Sequence, residues 1–191
     1  MHNPTIFLHE HLQSRFFDIS RYNGVYISID DYVICFTLWN LSGQMCGYQQ
    51  YKPLENKDKR NNPKEGRYYT SIHGNKHEKP IALWGIESLQ YNEDVLVLCE
   101  GIFDACRFHN HDIPAVAVLG SSWKHYKNWI LSLNRYIYKA EDQEGSSLGP
   151  FKSITLPSVR EDFGSCSEIE QKNIASQLIL EIQKITNKVV K

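Results

Sequence analysis

The chain has 191 residues, of which 41% are hydrophobic and 23% charged, and its net charge is −1. This is the composition of one large folded domain or two small ones, not of a disordered segment, and near-neutrality does not by itself announce a nucleic-acid binder. The longest apolar runs fall far short of a membrane span, and the polar Met-His-Asn-Pro start is not a signal peptide. The five cysteines form no Cys-x-x-Cys pair, which argues against a disulfide framework and for a reducing cytoplasm.

In chain order, residues 4–18 are predicted as an amphipathic helix, with Ile6, Phe7, Leu8, Leu12, Phe16 and Phe17 on its apolar side. From Gly24 to Lys52 the period changes to two. Val25, Ile27 and Ile29 alternate, Val33 to Trp39 is a mostly apolar run, Asn40-Leu41-Ser42-Gly43 supplies a turn, and Met45 to Tyr51 returns as the partner strand. A polar loop from Pro53 to Gly66 leads to a further strand at Arg67 to Ser71. Between Lys52 and Lys79 stand eight Lys/Arg against four Asp/Glu, a local excess that suits a polyanion or a solvated loop.

The second half alternates between strands and helices. Val95 to Cys99 is a five-residue apolar run that delivers Glu100 to the mouth of a buried parallel strand. Gly101 then permits a tight exit, and Asp104 opens a helix running to His111. Residues 114–122 form a second strand ending in Gly120-Ser121-Ser122, Lys124 to Leu133 a helix, and 136–145 a third strand with an acidic end. Such alternation predicts βαβ units in a parallel sheet, and ligands of such sheets bind beyond the carboxyl ends of the strands, where Glu100 lies. A short strand at Ser153 to Leu156 follows, and a last helix starts at Ser167 with Glu168 and Glu170 in its first turn and lysines near its end.

The order strand, Glu-Gly-x-x-Asp-Ala, helix, strand, Leu-Gly, helix, strand, Asp-x-acid resembles the TOPRIM domain shared by bacterial and phage DNA primases, topoisomerases and several nucleases. The upstream block, from Val33 through the Gly43 turn to Lys52, then Gly66-Arg-Tyr-Tyr-Thr-Ser and Ile81-Ala-Leu-Trp-Gly-Ile, is similar to the N-terminal part of the primase catalytic core. Pro157 to Asp162 resembles the family's closing segment. The resemblance implies an α/β chain with a mixed β-rich subdomain at 1–80, a Rossmann-like TOPRIM domain with a mainly parallel sheet at 81–163, and a C-terminal helix at 164–191.

It further implies a nucleotidyltransferase making short RNA primers on single-stranded DNA from ribonucleoside triphosphates, with Mg²⁺ or Mn²⁺. Glu100, Asp142 and Glu144 become the catalytic acids, with Asp104 and Asp162 added as metal ligands. Lys52, Arg67, Tyr68, Gly101, Gly120 and Ser121 become contacts to nucleotide or nucleic acid. A helicase or other replication protein is the expected partner, the cytoplasm the expected compartment, and a phage or mobile element the expected source; the family's zinc-binding module is expected to be missing. Two alternatives stand beside this reading: a TOPRIM nuclease using the same acids, and a non-catalytic relative that binds nucleic acid or a replication protein.

The second acidic motif departs from the family's Asp-x-Asp. It reads Asp142-Gln143-Glu144, the register also permits Glu141 in its first place, and the gap to the next strand is too short for a crossover helix. The histidine groups His9-x-His11, His73-x-x-x-His77 and Cys106-x-x-His109-x-His111 carry liganding atoms. On a helix, however, i,i+2 spacing points His109 and His111 to different faces, which disfavours zinc.

Overall fold

Phe16 ends the first helix sooner than its apolar pattern predicts. The structure, a computed structural model, describes residues 4–56, 62–74, 80–92, 94–120, 122–141, 148–157, 160 and 162–189, which form two compact units, Met1–Trp84 and Gly85–Lys191. Helix α1 (Pro4–Ser14) buries Leu8 and Leu12, four residues apart on one face. Phe16 then adopts a left-handed φ of 54°. Its amide donates to Gln13 O at 2.8 Å and that of Phe17 to Leu12 O at 2.9 Å, a Schellman C-cap in which phenylalanine fills the usual glycine position. The turn carries the Phe17 ring into the core, where it meets Phe36, Tyr22 and Trp84 at centroid distances of 5.3, 4.7 and 5.8 Å.

Among the described residues of the first unit, four strands form an antiparallel sheet in the order β1 (Val25–Ser28), β2 (Val33–Trp39), β3 (Met45–Tyr51), β4 (Tyr68–Ile72). Ile34, Phe36 and Leu38 of β2 alternate onto one face and are fully buried. His11 of α1 bonds the Tyr51 hydroxyl at 2.7 Å, so the helix lies on that same, inner face. The turn between β2 and β3 is tied by Asn40, whose side-chain oxygen accepts from the amides of Ser42 and Gln44.

In the second unit, β5 (Val95–Cys99) is buried at every position, as a parallel strand covered on both faces must be. It is followed by α2 (Ile102–His109), β6 (Ala115–Ala117), α3 (Lys127–Ser132), β7 (Tyr136–Ala140), β8 (Lys152–Ser153) and α4 (Glu168–Val189). All the pairings are parallel, in the order β6-β5-β7-β8. The outer side of β6 is closed by side chains. Ser88 Oγ accepts from Ala115 N–H and lies 3.0 Å from Ala115 O, and His109 Nε2 lies 2.9 Å from the same carbonyl.

Several predicted bounds shift for local reasons. The second strand stops at Ala117 because Leu119 and Gly120 take left-handed φ values of 54° and 79°. The third stops at Ala140, and the region predicted as a helix from Lys124 divides into a 3-10 turn, Trp123–His125, and α3. The strand predicted at Ser153 to Leu156 is the two-residue β8, which pairs parallel to β7 across only residues 141–151. No helix among the described residues is long and apolar enough to cross a membrane.

Candidate active site

Strand order places a crevice at the carboxyl end of β5. The chain leaves β5 for β6 on one side and then returns past it to β7 on the other, so the β5–β7 edge is a topological switch point, where open α/β sheets bind ligands. Cys99 and Ala140 are the last register partners of the two strands. Glu100 and Glu141 therefore leave the sheet side by side.

Glu100 is half-buried, and its carbonyl accepts from the Leu119 amide at 3.0 Å. The left-handed leucine costs about 1–2 kcal/mol, and such strain collects where a site needs a fixed backbone. Gly120 follows it with positive φ. Gly101 is the N-cap of α2, but its φ of −121° is open to any residue, so the predicted tight exit is not what selects glycine there. A Cβ there would lie 3.0 Å from Asp104 Oδ2, so a larger residue would press on the capping carboxylate.

Asp104 is 8% exposed and stands at the third position of α2 rather than opening it. Its Oδ2 accepts from Gly101 N–H at 3.1 Å and its Oδ1 from Gly164 N–H at 2.8 Å. One carboxylate thus caps α2 and docks a segment 60 residues away in sequence. Arg107 reinforces the dock by donating from Nη2 to Gly164 O at 2.7 Å, and Phe108 meets Phe163 at 5.8 Å. Asp162, two residues before Gly164, is held by this dock beside the start of α2. Its Oδ1 is buried and has no hydrogen-bond partner among the described residues.

Glu141 is engaged from both sides. Lys139 Nζ donates to Oε1 at 2.5 Å, and Ser153 Oγ donates to Oε2 at 2.8 Å. Sequence reasoning missed both partners; the strand period, which puts Lys139 and Glu141 on one side of the chain, is the signal for the first. Asp142, Glu144 and Ser121 lie outside the described residues. Among the described residues no three His, Cys, Asp or Glu side chains are gathered closely enough to hold a metal ion. Glu100 and Glu141, the described acids at the switch point, are hard oxygen donors, the ligand type a Mg²⁺ or Mn²⁺ ion takes, and the buried Asp162 Oδ1 is a donor of the same kind.

The cationic residues of the first unit form a cluster of their own. The Lys52 amide donates to Arg67 O at 2.8 Å, Lys52 Nζ to Lys64 O at 2.9 Å, and Arg67 Nε to Glu55 O at 2.8 Å, so Lys52 and Arg67 are brought together. Tyr68 is 41% exposed and stacks on Tyr51 at 5.0 Å. Sequence reasoning weighed His11 only as a metal ligand and did not single out Arg15; α1 brings His11 here and Arg15 follows directly after its end, and their i,i+4 spacing was the available signal. Burial, followed by the charges of Arg15 and Arg67, holds the His11 imidazole below its ordinary pKa.

No family model and no curated protein matches the chain. Solved structures do. The Aquifex aeolicus primase, comprising zinc-binding and RNA polymerase domains, superposes with a TM-score of 0.54 at 19% identity, covering 79% of this chain and 40% of that one. The Escherichia coli primase catalytic core gives 0.54 at 16% identity, over 76% of this chain and 52% of that one. The chain has a primase-like fold. A primase catalytic domain bound to single-stranded DNA gives 0.52 at 16% identity, over 88% of this chain and 60% of that one. The chain thus spans about 40 to 60% of the length of these structures, and at these identities the likeness is one of fold.

Proposed function

We propose that the protein is a primase-like nucleotidyltransferase of the TOPRIM type, joining ribonucleotides into short primers on single-stranded DNA. The observation that carries this reading is the position of Glu100 at the β5–β7 switch point, in a chain whose fold is that of primase cores. Glu100 and Asp162, with Asp142 and Glu144 from the sequence, would hold Mg²⁺ or Mn²⁺. When bound, such ions polarise the reacting phosphate and neutralise the pyrophosphate leaving group. Asp104 completes the acidic set mainly by holding the edge together, since each of its oxygens already accepts a backbone amide.

Lys52 and Arg67 bind phosphate oxygens, the first as a point charge and the second as a planar fork fixed at Nε. Tyr68 offers its exposed ring to a base, and Gly120, with Ser121 from the sequence, would contact anionic oxygens; the Gly101 amide is already taken by Asp104 and serves the site by capping α2. Single-stranded DNA, ribonucleoside triphosphates and a helicase or other replication protein are the partners of this reading, with the cytoplasm as the compartment and a phage or mobile element as the source.

Incubation of the pure protein with a single-stranded template, labelled ribonucleotides and Mg²⁺ or Mn²⁺ tests it. Template-dependent primers that disappear in Glu100→Gln support the proposal. Degradation of the strand, lost in the same variant, identifies a nuclease instead. Binding without either reaction, unchanged in Glu100→Gln, identifies a non-catalytic relative.

A further inference from the structure

The outer face of the β1–β4 sheet, opposite the one that α1 lies on, has an unusual make-up. No charged residue stands in any of its four strands, whereas a face left merely to solvent normally carries polar and charged residues. The register partners Tyr26, Cys35, Gln50 and Tyr69 form one cross-strand row on this face. Tyr26 is 67% exposed. Tyr48 lies diagonally beside Tyr69, the rings edge-to-face at 6.4 Å, and His73 meets Tyr48 at 6.2 Å. Next to this row opens a cleft of about 460 Å³, with Ser28, Asp31, Cys35, Gln50, Lys52 and Glu55 among its walls.

Positive charge stands at the rim. Lys64 Nζ is 6.0 Å from the Tyr69 ring centre, and Lys52 follows β3 directly and lines the cleft. We propose that this face is a stacking platform for single-stranded nucleic acid, on which Tyr26, Tyr48 and Tyr69 receive bases and the cleft beside Cys35 and Gln50 takes one base edge-on. The inference rests on the nucleic-acid part of the function proposed above and adds the surface that holds the strand.

Charge complementarity selects this occupant. Stacking on rings is indifferent to sequence, while lysines at the rim follow the phosphates. The carboxylates of Asp31 and Glu55 would repel a phosphate but accept hydrogen bonds from exocyclic amines, so the base and not the backbone enters the cleft. A duplex hides its base faces and gains nothing from the rings.

Fluorescence anisotropy with a labelled oligodeoxyadenylate, an abasic strand of equal length and charge, and a duplex tests the platform on the full chain. Tyr26→Ala, a change at an exposed position, is expected to weaken binding of the base-bearing strand about 5- to 150-fold while leaving the abasic strand unaffected. Tyr26→Phe keeps the ring and binds as the wild type does. Wild-type affinity of Tyr26→Ala for the base-bearing strand, an equal loss for both strands, or equal binding of the duplex would each overturn the proposal. The two proposals fail separately. A wild-type protein that makes no primers but loses the base-bearing strand on Tyr26→Ala keeps the platform and drops the enzyme; primers with unaltered Tyr26→Ala binding do the reverse.

Discussion

Replacing Asp104 by alanine removes two acceptors at once, and the structure sets the size of the effect. The bond from Gly164 N–H is buried and charge-assisted, worth about 2–3 kcal/mol net, because its loss also leaves a buried donor unsatisfied. The bond from Gly101 N–H is part-buried and acts as a helix cap, worth about 1 kcal/mol. Asp104→Ala is therefore expected to destabilise the second unit by about 3–4 kcal/mol. Asp104→Asn, which keeps one acceptor, is expected to lose about half as much. Urea unfolding followed by far-ultraviolet circular dichroism reads both changes. With a slope of about 2 kcal/mol/M, the alanine variant should unfold at about 1.5–2 M less urea. A loss below about 1 kcal/mol in Asp104→Ala would refute the reasoning, because it would mean that neither amide depends on this carboxylate.

Ser88→Ala removes the hydroxyl that meets both backbone groups of Ala115 and is expected to cost about 2 kcal/mol, with faster hydrogen exchange at the Ala115 amide; unchanged exchange would contradict the edge closure. His11 is held below its ordinary value of 6.5 by burial, Arg15 and Arg67. The unfolded chain therefore takes up a proton near pH 6.5 that the folded one refuses until lower pH, so this contribution to stability is present above 6.5 and is lost as pH falls towards the folded pKa. NMR titration should show the His11 pKa rising towards 6.5 in Arg67→Gln, and a fall would contradict the assigned cause.

The parallel sheet is legible in sequence because β5 and β6 are short continuous apolar runs, too brief for helices and separated by a helix length, as strands covered on both faces are. The end of α1 is not, since the left-handed C-cap position is filled by Phe16, a residue that local preference would not place there. The early end of β6 is hidden for the same reason at Leu119. At the candidate site, the place of Glu100 follows from the run that precedes it. The engagement of Asp104 with Gly164, and that of Glu141 with Ser153, depends on tertiary contacts between segments distant in sequence, which no local pattern encodes.

The most direct measurement of the central claim is Mn²⁺ binding to the intact protein by electron paramagnetic resonance, comparing wild type with Glu100→Gln at matched stability. The account predicts a saturable site in the wild type that weakens at least about tenfold in the variant, as expected on losing one carboxylate ligand. Equal Mn²⁺ affinity in the two proteins would contradict it.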